Sequence, residues 1–335
     1  MHVLSSSSSQ QYSTSHRDLS ISSSERMQAR KFLLRLIFFA LPFFLYPLFI
    51  FVVDPFNFLN PHSPVSEETK LRTAAKLNPF FWKMNLFSKK PVANILLGDS
   101  TMLNLRPSKI QEITGEEYFN FAYGGGTFEE AINTFWFATQ FLKLRKVYLG
   151  INLVRYNDSA YEDRTKVFIN MQRRPVAYFL DRTVLQAALY SMYSTLTGLD
   201  PELGVPHFDR ETGWRETLNS NANVYRDFTY PTKYRQELMK VVQYCNDNEI
   251  EISFLLLPSH VEFQRLLNDF KLENARDQIK RELSEMAPVY DFDFENELTR
   301  NKDNFKDPIH YTDKVGDLLV QEIWGGQFQH GQRYP

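Results

Sequence analysis

The sequence predicts an α/β domain built on a five-stranded parallel sheet and preceded by one membrane-crossing helix. Three observations carry this expectation. After residue 90, short apolar runs alternate with helical patterns, which is the signature of a parallel sheet. Turns rich in glycine follow the first three runs, and near the N-terminus lies a long aliphatic and aromatic stretch without charge.

The elements follow in chain order. Residues 1–30 read as a disordered tail, first Ser-rich with runs such as SSSSSQQYSTS and then basic, because such composition buries too little apolar surface to offset the entropy of ordering. Residues 31–54 read as an anchor: Leu36 to Val53 carries no charge and matches the minimum length for a hydrocarbon core of about 30 Å. Pro42 and Pro47 kink it, as bilayer helices tolerate. Arg26, Arg30, Lys31 and Arg35 flank its N-terminal side, and Asp54 is the first charge beyond it, so the N-terminus is expected in the cytoplasm and the remainder outside. The run is longer than a usual signal core, and Asp54-Pro55-Phe56-Asn57 stands where a small-residue cleavage site belongs, so the anchor reads as uncleaved. Met27, directly before the basic residues, offers an alternative translation start.

Residues 55–90, with Pro55, Pro61, Pro64 and Pro79, read as an extended stalk with one short helix around Glu67 to Leu77. Strands are expected at Asn94 to Gly98, Tyr118 to Ala122, Lys146 to Gly150, Ile252 to Leu257 and Val289 to Phe292. Helices between them are expected at Ser108 to Ile113, Thr127 to Leu142, Pro231 to Asn248 and, in one piece, Val261 to Met286, with a last amphipathic helix at Thr312 to Trp324. The alternation lapses over residues 153–230, an insertion within a domain spanning 91–326, and 327–335 is a tail.

Composition excludes some functions. A net charge of -2 and a pI near 6.4 leave no basic field for nucleic acid. The single cysteine, Cys245, permits no intramolecular disulfide and reads as a small buried hydrophobe. The histidines outside the motifs below, His2, His16, His62, His207 and His330, have no ligand spacing, so neither metal nor cofactor is expected.

Open parallel sheets present their ligands at the carboxyl ends of strands. Those ends carry Gly98-Asp99-Ser100, Gly124-Gly125-Gly126-Thr127 and Gly150-Ile151-Asn152, and Asp307-Pro308-Ile309-His310 follows the last strand. Acyl transfer needs this set. A serine hydroxyl is a weak nucleophile until a base takes its proton, and an imidazole such as His310 does so near neutral pH. Asp307 can accept the other imidazole N–H and fix the tautomer. A tetrahedral oxyanion needs preorganised donors: the Ser100 N–H, a glycine N–H and the Asn152 carboxamide. His260, after the fourth strand, and Arg155 are candidates for substrate contact, with helix capping the alternative for His260. The insertion's cations Arg155, Arg164, Lys166, Arg173 and Arg174 read either as a surface for an anionic glycan or as a solvated face.

In this order the four blocks resemble the SGNH (GDSL-type) hydrolase superfamily. The resemblance implies a flavodoxin-like α/β/α sandwich with strand order 2-1-3-4-5, Ser100 as nucleophile, Gly125 and Asn152 in the oxyanion hole, and Asp307 and His310 completing a triad. Thr101 and Met102 depart from the leucine that the GDSL pattern expects, and Leu153 from a frequent Asp. With its anchor, the chain looks similar to membrane-tethered accessory proteins of envelope polysaccharide O-acetylation and teichoic-acid D-alanylation. The expected function is acyl-ester chemistry on an envelope glycan, as O-acyltransferase or esterase. The expected partners are an acylated glycan or acyl donor and a multi-span membrane acyltransferase. A lipase or thioesterase and a non-catalytic scaffold are the alternatives.

Overall fold

The computed structural model describes residues 23–159, 163–201 and 209–335, so the Ser-rich residues 1–22 and His207 fall outside it. The first helix, α1 (Ser23–Val53), is one unit through Phe49. Its stretch Arg26–Val53 is long and apolar enough to cross a membrane, with Pro42 and Pro47 inside. Residues 26–30 are helical rather than part of a tail, since Arg, Met, Gln and Ala are good helix formers with no breaker among them.

Residues Ile50–Pro335 form the second unit. Asp54, at φ +36°, ends the helix, and its buried carboxylate accepts the N–H groups of Phe58, Leu59 and Asn60 and the Tyr178 hydroxyl. The expected stalk is instead folded into α2 (Glu67–Arg72), α3 (Ala74–Leu77) and α4 (Pro79–Lys89). Pro79 starts a helix here, at its first turn behind the Asn78 cap, where a missing N–H costs nothing. Phe80, Phe81, Met84 and Phe87 share one face of α4 and are buried, with Phe81 edge-on to Phe168 at 4.9 Å.

The sheet is six-stranded, in the order β2-β1-β3-β4-β5-β6. Five strands are parallel: β1 (Asn94–Leu97), β2 (Tyr118–Asn120), β3 (Lys146–Gly150), β4 (Glu251–Leu256) and β5 (Val289–Asp291). The sixth, β6 (Gln332–Tyr334), corrects the expected tail and pairs antiparallel to β5. Its three residues are exposed and show no alternation, so no sequence pattern marks it. Tertiary contacts hold it: Glu322 accepts the N–H groups of Gln329, His330 and Gly331, and a side chain at Gly331 would collide with the Phe292 ring.

Helices cover both faces. On one, α5 (Pro107–Thr114) and α15 (Asp313–Gly325) bury Leu96, Tyr118, Leu255 and Tyr290. On the other, α6 (Phe128–Ala138) and α11 (Thr232–Asp247) pack on each other and on β1 and β4. The single helix expected over Val261 to Met286 is two, α12 (Val261–Asp269) and α13 (Glu273–Ser284), because Lys271 adopts φ +56°, which no right-handed helix continues through. The insertion carries α7 (Arg164–Arg173), α8 (Val176–Leu180), α9 (Arg182–Thr197) and α10 (Arg210–Arg226). Its two ends are tied where buried Asn157 accepts the N–H of Thr229 at 3.0 Å and Asp158 accepts that of Lys233 at 2.8 Å.

Candidate active site

β1 delivers its last residue, Leu97, into Gly98, whose φ of +145° is closed to side-chain-bearing residues. Asp99 then caps a 3-10 turn over Ser100–Asn104, its Oδ1 accepting from the Thr101 N–H at 2.9 Å and the Thr101 hydroxyl at 2.6 Å. The serine turn is clamped from three sides. Asn120, at the end of β2, donates to the carbonyls of Met102 and Leu105. The Tyr311 hydroxyl donates to the Thr101 carbonyl at 2.6 Å, and Met102 is fully buried against Gly98 and Gly150. A Cβ on Gly150 would lie 2.5 Å from Met102 Cγ and one on Gly98 2.8 Å from it, so the Met102 side chain fits between these strand ends only because both carry glycine. Met102, a departure from the motif, is thus the side chain that fills this gap.

The Asp307–His310 segment lies between α14 (Glu297–Arg300) and α15 and is closed by a bridge between Phe305 and Tyr311. The N–H of His260 holds the Pro308 carbonyl at 2.8 Å, so the loop after β4 braces it as well. Asp307 Oδ1 accepts the N–H groups of Ile309 and His310, both at 2.9 Å, leaving Oδ2 for His310 Nδ1 at 2.6 Å. On the far side of the ring, His310 Nε2 lies 2.7 Å from Ser100 Oγ. Two side chains 210 positions apart are therefore in hydrogen-bond contact, and a third orients the base.

Electrostatics match this geometry. Burial lowers the His310 pKa, but the hydrogen bond and charge of Asp307, with Asp99 behind, outweigh it and hold the imidazole above its ordinary value. Burial likewise acts to raise Asp307, and the His310 contacts outweigh it, so the carboxylate is held below its ordinary value. The pair favours a charged imidazolium beside a carboxylate, the state that forms when Ser100 loses its proton.

Three donors face no protein acceptor among the described residues: the N–H of Ser100, the N–H of Gly125 and the Nδ2 of Asn152, whose Oδ1 accepts from the Val154 N–H at 2.9 Å. Gly126, rather than Gly125, lines the small cleft that also includes Gly98, Asp99, Asn152 and Arg155. Gly125 sits at φ +71° with its carbonyl held by Arg164 Nη2 at 2.9 Å. His260 is buried, caps α12 through Nδ1 and meets the Trp214 ring at 4.9 Å, which matches the capping alternative.

Sequence reasoning passed over several supports. Arg164 pairs with fully buried Glu130 at 2.6 Å, and Glu130 also accepts from the Tyr123 hydroxyl and the Thr127 N–H. Burial acts to raise the Glu130 pKa, and these donors outweigh it and hold it low. Together they tie the Gly124–Gly126 turn to the insertion. From α4, Lys83 donates to the Ala122 carbonyl beside the same turn, and burial brings its pKa down to about 8. Tyr311 alone had a signal available, its place directly after His310.

No family model matches the sequence, and no curated protein does. Among solved structures, the chain is similar to a Streptococcus pneumonia protein provisionally designated a platelet activating factor. Identity there is 13%, over 74% of this chain and 90% of that one, with a TM-score of 0.37. A Bacteroides fragilis protein provisionally designated an acylhydrolase is similar at 12% identity over 71% and 88%, with a TM-score of 0.35. Scores this low carry no inference about function.

Proposed function

We propose that the protein is a serine-dependent acyl-ester enzyme of the SGNH type, anchored by α1, in which Ser100 carries the acyl group. The observation that supports this most is the unbroken path from Ser100 Oγ through the His310 ring to Asp307, at 2.7 and 2.6 Å. Ser100 Oγ attacks the ester carbonyl carbon as Nε2 takes the hydroxyl proton, and the imidazolium is stabilised by Asp307. The carbonyl oxygen becomes an oxyanion facing the N–H groups of Ser100 and Gly125 and the Asn152 amide. Collapse expels the leaving oxygen, which takes the proton from Nε2. A water or a sugar hydroxyl then attacks the acyl-serine by the same steps, giving hydrolysis or transfer.

A short acyl group, such as acetyl, suits the surroundings. The cavity beside Asn152, Thr101 and Ile309 measures about 20 Å³, where about 10–15 Å³ holds one water. A long-chain lipase or thioesterase would need an apolar channel there. Arg155 lines the cleft next to Asn152 and suits an anionic glycan on the acceptor side. With Arg26, Arg30, Lys31 and Arg35 at one end of α1 and Asp54 at the other, the charge asymmetry favours a cytoplasmic N-terminus and a catalytic domain outside, facing envelope polysaccharide and a multi-span acyl-donating partner.

The test uses the full chain in detergent, a fluorophosphonate probe and a chromogenic acetyl ester, with and without sugar acceptors. Labelling and turnover that vanish in Ser100→Ala support the reading, and acceptor-dependent products mark transfer. Absence of both in the wild-type chain, or rescue of a deletion strain by Ser100→Ala, would replace catalysis with a scaffold role.

A further inference from the structure

Apart from the Ser100 cleft, a cavity of about 420 Å³ opens at the foot of α1, with Asn57, Ser63, Glu67, Lys70, Asn85 and Lys89 on its walls. It abuts the end of that helix, since the Ser63 hydroxyl donates to the carbonyl of Val53, its last residue, at 2.6 Å. Two ammonium groups meet at Asn57, that of buried Lys70 and that of exposed Lys89. Lys70 Nζ donates to Asn57 Oδ1 at 2.6 Å, and Lys89 Nζ donates to the Asn57 carbonyl, which Asn85 Nδ2 also reaches at 3.0 Å.

Lys70 is only 1% exposed. Among the described residues neither lysine forms an ion pair, and the Asp54 carboxylate is already occupied by three backbone N–H groups and the Tyr178 hydroxyl. Burial lowers the Lys70 pKa, which the charge of Asp54 and, less, that of Glu67 counter and Lys89 reinforces. Buried cations ordinarily have a partner, because an unpaired charge away from water is costly. Glu67 is the one carboxylate on the lining, against two lysines, and Asp54 beyond it is held by its own four donors. An anionic phosphodiester offers oxygens to both ammonium groups. The headgroup layer is about 5–7 Å deep on each side of the hydrocarbon, and the cavity begins at the last residue of the membrane-length helix.

We propose that this cavity binds the phosphodiester headgroup of an anionic glycerophospholipid such as phosphatidylglycerol, with Lys70 and Lys89 on the phosphate. The assignment rests on α1 being a membrane anchor. The full chain, purified in a neutral detergent, is followed by thermal unfolding. Phosphatidylglycerol, phosphatidylcholine or inorganic phosphate is titrated into the micelles at matched ionic strength. A saturable rise in Tm is expected with phosphatidylglycerol alone, with the apparent affinity reduced about tenfold or more in Lys89→Ala, reduced likewise in Lys70→Met, and retained in Lys89→Arg. Ester turnover in Lys89→Ala stays at the wild-type level. Equal stabilisation by phosphatidylcholine or by inorganic phosphate overturns the lipid assignment, and a phosphatidylglycerol response untouched by both substitutions overturns the site. Carbonate washing of membranes reads the anchor separately. A chain that resists the wash yet ignores phosphatidylglycerol refutes the cavity alone, and a chain released by the wash refutes the anchor.

Discussion

Replacing Asp307 with Asn separates what its carboxylate does for position from what it does for charge. Oδ1 is held by the N–H groups of Ile309 and His310, both at 2.9 Å, and Oδ2 meets His310 Nδ1 at 2.6 Å. In Asp307→Asn the two N–H groups select the carboxamide oxygen, which turns the amide nitrogen toward Nδ1. Nδ1 must then accept, the ring proton moves to Nε2, and Nε2 faces Ser100 Oγ with no lone pair to take its proton. Loss of the correct tautomer lowers kcat about 10⁴-fold, equivalent to about 5.4 kcal/mol of transition-state stabilisation at 1.36 kcal/mol per factor of ten. The pH profile carries a second signature. Burial alone lowers the His310 pKa, and Asp307 is the main group that reverses it. Activity needs the neutral imidazole, so in the wild type the rate rises with pH through a midpoint above the ordinary 6.5. Without the carboxylate, desolvation dominates and that midpoint drops. Acetyl-ester hydrolysis by the detergent-solubilised chain across the neutral range reads both effects. An undiminished plateau, or a midpoint that stays or moves upward, refutes the assignment of Asp307 as orienting group.

Other substitutions probe the supports. Gly150→Ala places a Cβ 2.5 Å from Met102 Cγ and is expected to cost about 1–3 kcal/mol in urea unfolding. Addition of Met102→Ala should recover part of the loss, and strict additivity in that double-mutant cycle would show that the two positions do not clash. Lys280→Met strips the 2.7 Å ion pair from Asp291, whose side chain is 2% exposed, at a cost of about 3 kcal/mol. Burial already raises the Asp291 pKa against the pull of Lys280. The folded state of the variant therefore holds a proton more tightly than the unfolded one, and the deficit should be largest at neutral pH and shrink as pH falls through that raised value. Thermal unfolding against pH checks this. Arg164→Met leaves Glu130 without its cation and frees the Gly125 carbonyl. In the wild type the lowered Glu130 pKa gives stability present above its unfolded value near 4.5 and lost as pH falls through the folded value. The variant should be less stable at neutral pH, lose that acid-side dependence and turn over ester more slowly, and unchanged kcat would detach the Gly125 turn from catalysis.

Much of this was legible in one dimension because the signals are local or periodic. The runs at Asn94, Tyr118, Lys146, Ile252 and Val289 became the five parallel strands within a residue or two at most ends, since a buried parallel strand must be apolar almost throughout. The membrane-length helix followed from an uncharged run. Where several physical causes share a pattern, the reading failed. Prolines at 55–79 looked like an extended stalk, yet Pro79 opens the first turn of α4, because a proline at a first turn and a proline in a coil differ only in what packs beside them. Lys271 breaks a helix whose apolar periodicity continues through it. Arg164 looked like a surface cation, and only its meeting with Glu130, 34 positions away, gives it a structural role.

By itself the sequence determined which residue types stand at the strand ends, in what order, and which segment is apolar enough for lipid. Those are properties of composition and short-range spacing, unaffected by how distant parts meet. Only the tertiary structure decided that His310 Nε2 reaches Ser100 Oγ, that Asn120, Met102 and Tyr311 clamp the serine turn, and that the last residues add a sixth strand to the sheet. A hydrogen bond depends on tenths of an ångström, here between groups 210 residues apart, and that separation is set by the packing of whole layers.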